Sequence, residues 1–217
     1  MPKKELVRRY VVFMVSLFIQ AFAVALLQKS GLGLSPIPGV PNVLNCRFPF
    51  VSLGMWSFLW NCVFVLAQIL LRKSHFSMVQ LMQIPLSLVF GVFIDISVKL
   101  LSWLSPQAYF LRISVLLAGI VLSAIAVSLS VMANVVMNSG EALTKAISDR
   151  FNISFEKTKI GFDCSCVLLT VALSVFLLNG RIVGLREGTV LSAVLAGVFV
   201  PPMRRALSGV ERWICSF

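Results

Sequence analysis

Six times along this chain, about twenty residues pass with few or no charges, over residues 10–28, 52–71, 78–104, 109–136, 158–179 and 189–210. A helix rises about 1.5 Å per residue, so each stretch is long enough to cross a hydrocarbon core of about 30 Å. The runs are continuous rather than alternating, which excludes a closed membrane barrel. Composition agrees: with 59% hydrophobic and 12% charged residues, and a mean hydropathy of +0.96, there is too little polar surface to coat a soluble globule. The expectation is an all-α polytopic protein, a single membrane domain over 1–217 with six transmembrane helices and broken or short helical segments after the first and fourth. The first span has no small-residue cleavage site after it, so it reads as a membrane helix rather than a signal peptide.

A formal charge of +11 could indicate nucleic acid, but the placement of the basic residues argues otherwise. With the N-terminus inside, the inner segments hold Lys3, Lys4, Arg8, Arg9, Arg72, Lys73, Lys145, Arg150, Lys157, Lys159, Arg204, Arg205 and Arg212. The outer segments keep only Lys29, Arg47, Lys99, Arg112, Arg181 and Arg186. This asymmetry follows the positive-inside rule. It places both termini in the cytoplasm, with the lipid bilayer as the partner and no nucleic acid.

The second half of the chain repeats the first. Ser52, Asn61 and Cys62 fall opposite Ser154, Asp163 and Cys164 at one fixed offset, and Gly91-Val92-Phe93-Ile94 answers Gly197-Val198-Phe199-Val200. Repeat A covers about 8–106 and repeat B about 109–212. Three spans per half is an odd number, so the two repeats enter the membrane in opposite directions, the arrangement in which transporters build a site where the halves meet. After the first span comes an outer segment, Gly31 to Asn42, whose Pro36, Pro38 and Pro41 break the preceding helix. After the fourth comes an inner segment, Asn138 to Arg150, in which Ser139 caps a short amphipathic helix with Leu143, Ile147 and Phe151 on one face. Such segments are tolerated at membrane depth where they line a cavity or are buried in protein.

Leu32-Gly33-Leu34-Ser35-Pro36, Ser52-Leu53-Gly54-Met55-Trp56, Gly91-Val92-Phe93-Ile94-Asp95 and Gly184-Leu185-Arg186-Glu187-Gly188-Thr189 together resemble the bacterial YczE, YyaS and YitT type membrane proteins. The likeness extends over nearly the whole chain and implies a polytopic, transport-related protein. The chain departs from that pattern after its turns, where Ile37-Pro38 and Glu141-Ala142 replace acidic and aromatic residues.

Polar residues inside apolar spans are the candidates for solute contact, because burying them in hydrocarbon is costly without a partner or a cavity. Asp95 lies in the third span with Lys99 one turn on, either as a structural ion pair or as a charge-coupling carboxylate. Asn61 and Asp163 occupy equivalent repeat positions, with Lys157 and Lys159 near Asp163. Glu141 and Thr144 in the inner segment, and Ser35 and Asn42 in the outer one, offer hydroxyl, amide and carboxylate groups and helix N-termini to an anionic or zwitterionic solute. Trp56 and Trp60, one turn apart, are either membrane-belt residues or an aromatic wall.

Enzyme signals are poor. The one histidine, His75, stands in a basic turn without a second ligand or triad partner, so no metal, cofactor or catalytic residue is expected. Five cysteines, among them Cys164 and Cys166 at C-x-C spacing, read as small apolar residues rather than a disulfide framework. The expected function is transporter-like binding or movement of a small-molecule solute. One alternative is a substrate-capture subunit docking a partner membrane subunit through Ala21, Ala23 and Ala25. Another is a non-transporting scaffold. The small interior that six helices enclose also leaves room for a homodimer.

Overall fold

A computed structural model describes residues 3–72 and 78–215, and every regular element in them is helical. The order is α1 (Lys3–Ser30), α2 (Pro36–Arg47), α3 (Leu53–Arg72), a short 3₁₀ turn (Met78–Met82), α4 (Gln83–Leu100), α5 (Tyr109–Ala133), α6 (Ser139–Phe151), α7 (Phe155–Leu177), α8 (Glu187–Ala206) and α9 (Ser208–Cys215). Five helices are long and apolar enough to cross a membrane: α1 from Glu5, α3, α4 with the turn before it from Gln80, α5, and α7 from Lys157. The sixth expected span is the helix α8, which is not among those five. Its apolar run gives way to Pro201-Pro202 and Arg204-Arg205 in the last turns, and the chain continues as the separate α9.

The outer segment after α1 is not an irregular break. Its prolines sit mainly in the first turn of α2, where a backbone N–H has no intrahelical partner to lose, and only Pro41 lies deeper. Gly39, Val40, Pro41, Asn42 and Val43 are all buried. The inner segment forms α6 as expected, but Asn138 rather than Ser139 takes the N-cap position. Left-handed residues terminate the preceding long helices, Gly31 (φ 66°) after α1 and Asn134 (φ 47°) after α5.

Two compact units divide the chain, and each draws on both halves of the sequence. The first comprises Met1–Leu34, Ile96–Val135 and Arg186–Phe217. Here α1 packs along α5, α5 also contacts α8, and α9 touches all three. Close approach depends on small residues. Ala21, Ala23 and Ala25 are fully buried, and a Cβ at Gly119 would lie 3.1 Å from Leu27 and 3.4 Å from the Ala23 carbonyl. The face expected to dock a partner subunit is therefore consumed inside the protein's own core. In the same unit Gly188 donates its N–H to Leu32 O at 2.9 Å, and Gly33 (φ 133°) leaves no room for a side chain against Thr189. Leu32-Gly33 and Gly188-Thr189, far apart in sequence, form one junction.

The second unit comprises Ser35–Asp95 and Val136–Leu185. Both short helices contact both α3 and α7. A Cβ at Gly39 would come within 2.8 Å of Thr170 Oγ1, so α2 crosses α7 with nothing to spare. The exposed flank of α3 carries Met55, Leu59, Val63, Leu66 and Leu70, and its buried face carries Ser57, Asn61 and Gln68. An apolar flank outside, with the polar side chains confined to an inner face shared with Leu53, Phe64 and Val65, is the distribution expected when the surroundings are lipid.

Candidate functional site

All nine residues singled out for solute contact, Ser35, Asn42, Trp56, Trp60, Asn61, Asp95, Glu141, Thr144 and Asp163, fall in the second unit. They are not one constellation there, because the unit uses several of them to hold its helices.

Asp95 closes the start of α3. Ser52 Oγ donates to Asp95 Oδ2 at 2.6 Å, and the Gly54 N–H donates to Oδ1 at 2.8 Å. A first-turn N–H has no partner within its helix, so this carboxylate acts as a cap supplied from α4. Glycine permits the approach: a Cβ on Gly54 would collide with the Gly91 carbonyl and the Asp95 carboxylate, and one on Gly91 would lie 2.6 Å from Gly54 O. The Ser52–Trp56 and Gly91–Asp95 motifs thus meet at a single α3–α4 crossing. Among the described ion pairs none joins Asp95 to Lys99, which is exposed.

One turn further, α3 carries a buried polar network. Ser139 Oγ donates to Asn61 Oδ1 at 2.5 Å. Gln68 Nε2 donates to Ser139 O and to Gln83 Oε1, both at 3.1 Å, and Gln83 Nε2 returns a bond to Gln68 Oε1 at 3.3 Å. The hydroxyl expected to cap α6 instead ties α6 to α3. Thr144 turns its hydroxyl onto Gly140 O at 2.8 Å and is fully buried, so it offers a solute little. Ser35 stands at the N-cap of α2 without a side-chain cap bond, and Asn42 is buried within α2.

Against this background, three donors on α3 stand out. Trp56 Nε1, Ser57 Oγ and Trp60 Nε1 are each buried with no hydrogen-bond partner. Ser57 is only 5% exposed. Leaving a buried donor unmade costs about 1–3 kcal/mol, so three within the five residues 56–60 is an unusual expense for a well-packed helix. Trp60 packs against the buried cluster of Phe64 of α3, Leu143 of α6 and Cys166 of α7, on which Ile37, Ile147 and Phe162 also pack. Its ring lies 5.0 Å from that of Phe64, which lies 5.4 Å from Phe162. Trp56 rests against Phe48, with ring centroids 6.2 Å apart. Neither indole reaches outward to a membrane interface with its N–H, as a belt tryptophan does.

Charge is contributed by the starts of α6 and α7. Lys159 Nζ and Asp163 Oδ1 form an i, i+4 ion pair at 2.6 Å, partly exposed on both sides. Glu141, in the first turn of α6, has its carboxyl pushed above the usual carboxylate range by burial, with Lys159 pulling it down and Asp163 pushing it up. The second unit therefore holds three unpaired donors on α3, the aromatic packing of Trp60, Phe64 and Phe162, and a partly buried carboxyl group under the influence of Lys159 and Asp163. Such a set suits a ligand carrying hydrogen-bond acceptors and a negative or mixed charge.

Ser57, Gln68 and Gln83 escaped the sequence reading. A signal existed: Ser57, Asn61 and Gln68 recur at spacings of four and seven on an otherwise apolar helix, one polar stripe at helical period. The cysteines part company, Cys166 buried in the apolar cluster and Cys164 exposed, so the C-x-C spacing is not a shared environment. His75 lies outside the described residues. A model of a family of unknown function, DUF6198, matches residues 7–205, and no curated protein and no solved structure matches the chain.

Proposed function

We propose that this chain, which belongs to the DUF6198 family, is a non-catalytic, transporter-like membrane protein that binds a small anionic or zwitterionic solute and carries it across a bacterial plasma membrane. The single observation behind this is the set of buried, partnerless donors Trp56 Nε1, Ser57 Oγ and Trp60 Nε1. Acceptor atoms of a solute, a carboxylate above all, would complete them. Glu141 takes the charge-coupling role that the sequence suggested for Asp95, whose carboxylate is committed to Ser52 and Gly54.

The architecture in this reading is two inverted repeats, α1–α4 and α5–α8, with α8 as a sixth span and both termini cytoplasmic. Its support is the recurring order of one long, one short and two further long helices. Left-handed terminations after α1 and α5, and N-cap positions at Ser35 and Asn138, add to it. Kinship with the YczE, YyaS and YitT type belongs to the same proposal, resting on the two motifs that meet at the Gly54–Gly91 crossing.

The test is a thermal-shift screen of the purified protein in nanodiscs against small organic acids, amino acids and phosphorylated metabolites. A solute at 100 times its dissociation constant adds about 2.7 kcal/mol of stability. A genuine hit stabilises the wild type and loses its effect in Ser57→Ala and in Trp56→Phe/Trp60→Phe. A hit that stabilises those variants equally lies elsewhere. Uptake of the hit by proteoliposomes holding this chain alone marks a carrier, and binding without uptake marks a capture subunit.

A further inference from the structure

The first unit holds a cleft of about 320 Å³ that none of the preceding residues uses, and two cations line it. Its walls come from the end of α1 (Gln28, Lys29, Ser30), from the link before α5 (Pro106, Gln107) and from Arg112 in the first turn of α5. No Asp or Glu lines it. Arg112 Nε donates to Pro106 O at 3.0 Å, which fixes the guanidinium and leaves its two terminal amino groups for another acceptor. Lys29 stands in the last turn of α1, where the negative end of the helix favours a cation. Two positive groups in one cleft repel each other unless an anion sits between them.

The position indicates what that anion is. The cleft joins the end of one apolar, span-length helix to the start of another, and the ends of helices that cross a bilayer lie where hydrocarbon gives way to polar surroundings. Trp103, Tyr109 and Phe110, which flank the link in sequence, are 75%, 57% and 78% exposed, the placing of an interfacial aromatic belt. Phosphate groups populate that level, and the cleft volume falls within the range of small-molecule sites, about 300–1,000 Å³.

We propose that this cleft binds a phosphate group between Lys29 and Arg112, carried either by an anionic phospholipid headgroup or by a soluble phosphate compound. It is independent of the solute site on α3.

The experiment uses the full chain in two arms. In the first, native mass spectrometry follows lipid retained after extraction from mixed phosphatidylglycerol and phosphatidylcholine vesicles, for wild type, Lys29→Gln, Arg112→Gln and the double variant. Each cation near a lipid surface contributes on the order of 1 kcal/mol, so the double variant should lose at least about tenfold in phosphatidylglycerol enrichment. Arg181→Gln, an exposed cation of the second unit, should retain it. In the second arm, inorganic phosphate is titrated against chloride at equal ionic strength in phosphatidylcholine nanodiscs, with unfolding temperature as the readout. Lys29-dependent and Arg112-dependent retention assigns a lipid phosphate, and stabilisation by phosphate that both variants lose assigns a soluble one. If the double variant does not fold, the two single variants decide both arms. Enrichment and phosphate response indistinguishable from wild type in every folded variant overturn the proposal.

Discussion

The two ends of one helical turn and a half in α3 handle polar groups in opposite ways. At Ser52 and Gly54, the side-chain hydroxyl and the first-turn N–H are both satisfied by Asp95 across a glycine-lined crossing. From Trp56 to Trp60, three donors are buried and none is satisfied. The satisfied end is also the more exposed one, with Ser52 exposed and Asp95 half-buried, whereas Ser57 and both indole nitrogens are buried. A carboxylate in a membrane helix is a functional candidate by default, yet here both its oxygens accept bonds within the unit, while a serine and two tryptophans of ordinary appearance are left open. Whether a polar group is satisfied distinguishes the two roles better than its residue type does.

The largest expected effect lies at the satisfied end. Gly54→Ala would drive a methyl group into the Gly91 carbonyl and the Asp95 carboxylate. Overpacking of this kind costs about 1–3 kcal/mol or more, and the cap is disrupted with it. Fluorescence-detected size-exclusion chromatography after heating should show little surviving folded protein. A Gly54→Ala variant of wild-type stability would break the account of this crossing.

Glu141 gives the next effect and sharpens the contrast, since it is a partly buried ionisable group of the same unit. Burial raises its carboxyl pKa in the folded chain above the 4.5 of the unfolded chain. Its contribution to stability is therefore full below the unfolded value and is lost as pH rises through the folded one. Glu141→Gln stays uncharged, so it should unfold a few degrees above wild type at neutral pH, with the gap closing as pH is lowered toward 4.5. Melting curves across that range check it, and a gap that widens toward acid would contradict the burial of this carboxyl. Smaller still is Lys159→Met: an exposed i, i+4 pair contributes about 0.3–0.5 kcal/mol. Lys99→Gln should be silent within about 0.5 kcal/mol, because the lysine is exposed and forms no ion pair with Asp95.

The sequence made the apolar spans legible because hydropathy over twenty residues is a local property, and five of them stand as span-length helices. The Pro36–Asn42 segment was legible as a break from α1, which ends at Ser30, and it forms a short helix because a proline in a first turn has no hydrogen-bonded N–H to lose. The last apolar run forms the helix α8, which is not among the five span-length apolar helices because its final turns carry a double proline and a double arginine. The motifs around Gly54 and Gly91 were visible as words, but their meaning is a contact between residues 37 positions apart, which no local pattern encodes. The same holds for the open donors. Sequence names a tryptophan, and only the packing around it decides whether its N–H finds an acceptor.

The central claim is that α3 keeps donors open for a solute while spending its other polar groups on structure. Ser57 and Ser139 test it as a matched pair, both buried serines of the same unit, one without a partner and one bonded to Asn61. Unfolding temperatures of Ser57→Ala and Ser139→Ala in solute-free nanodiscs are the measurement. Ser57→Ala should equal or exceed wild type, because it removes an unmade bond. Ser139→Ala should lose about 1–3 kcal/mol, because it strands the buried Asn61 oxygen. A loss in Ser57→Ala as large as that in Ser139→Ala would mean that its hydroxyl is already bonded within the protein, and would contradict the account.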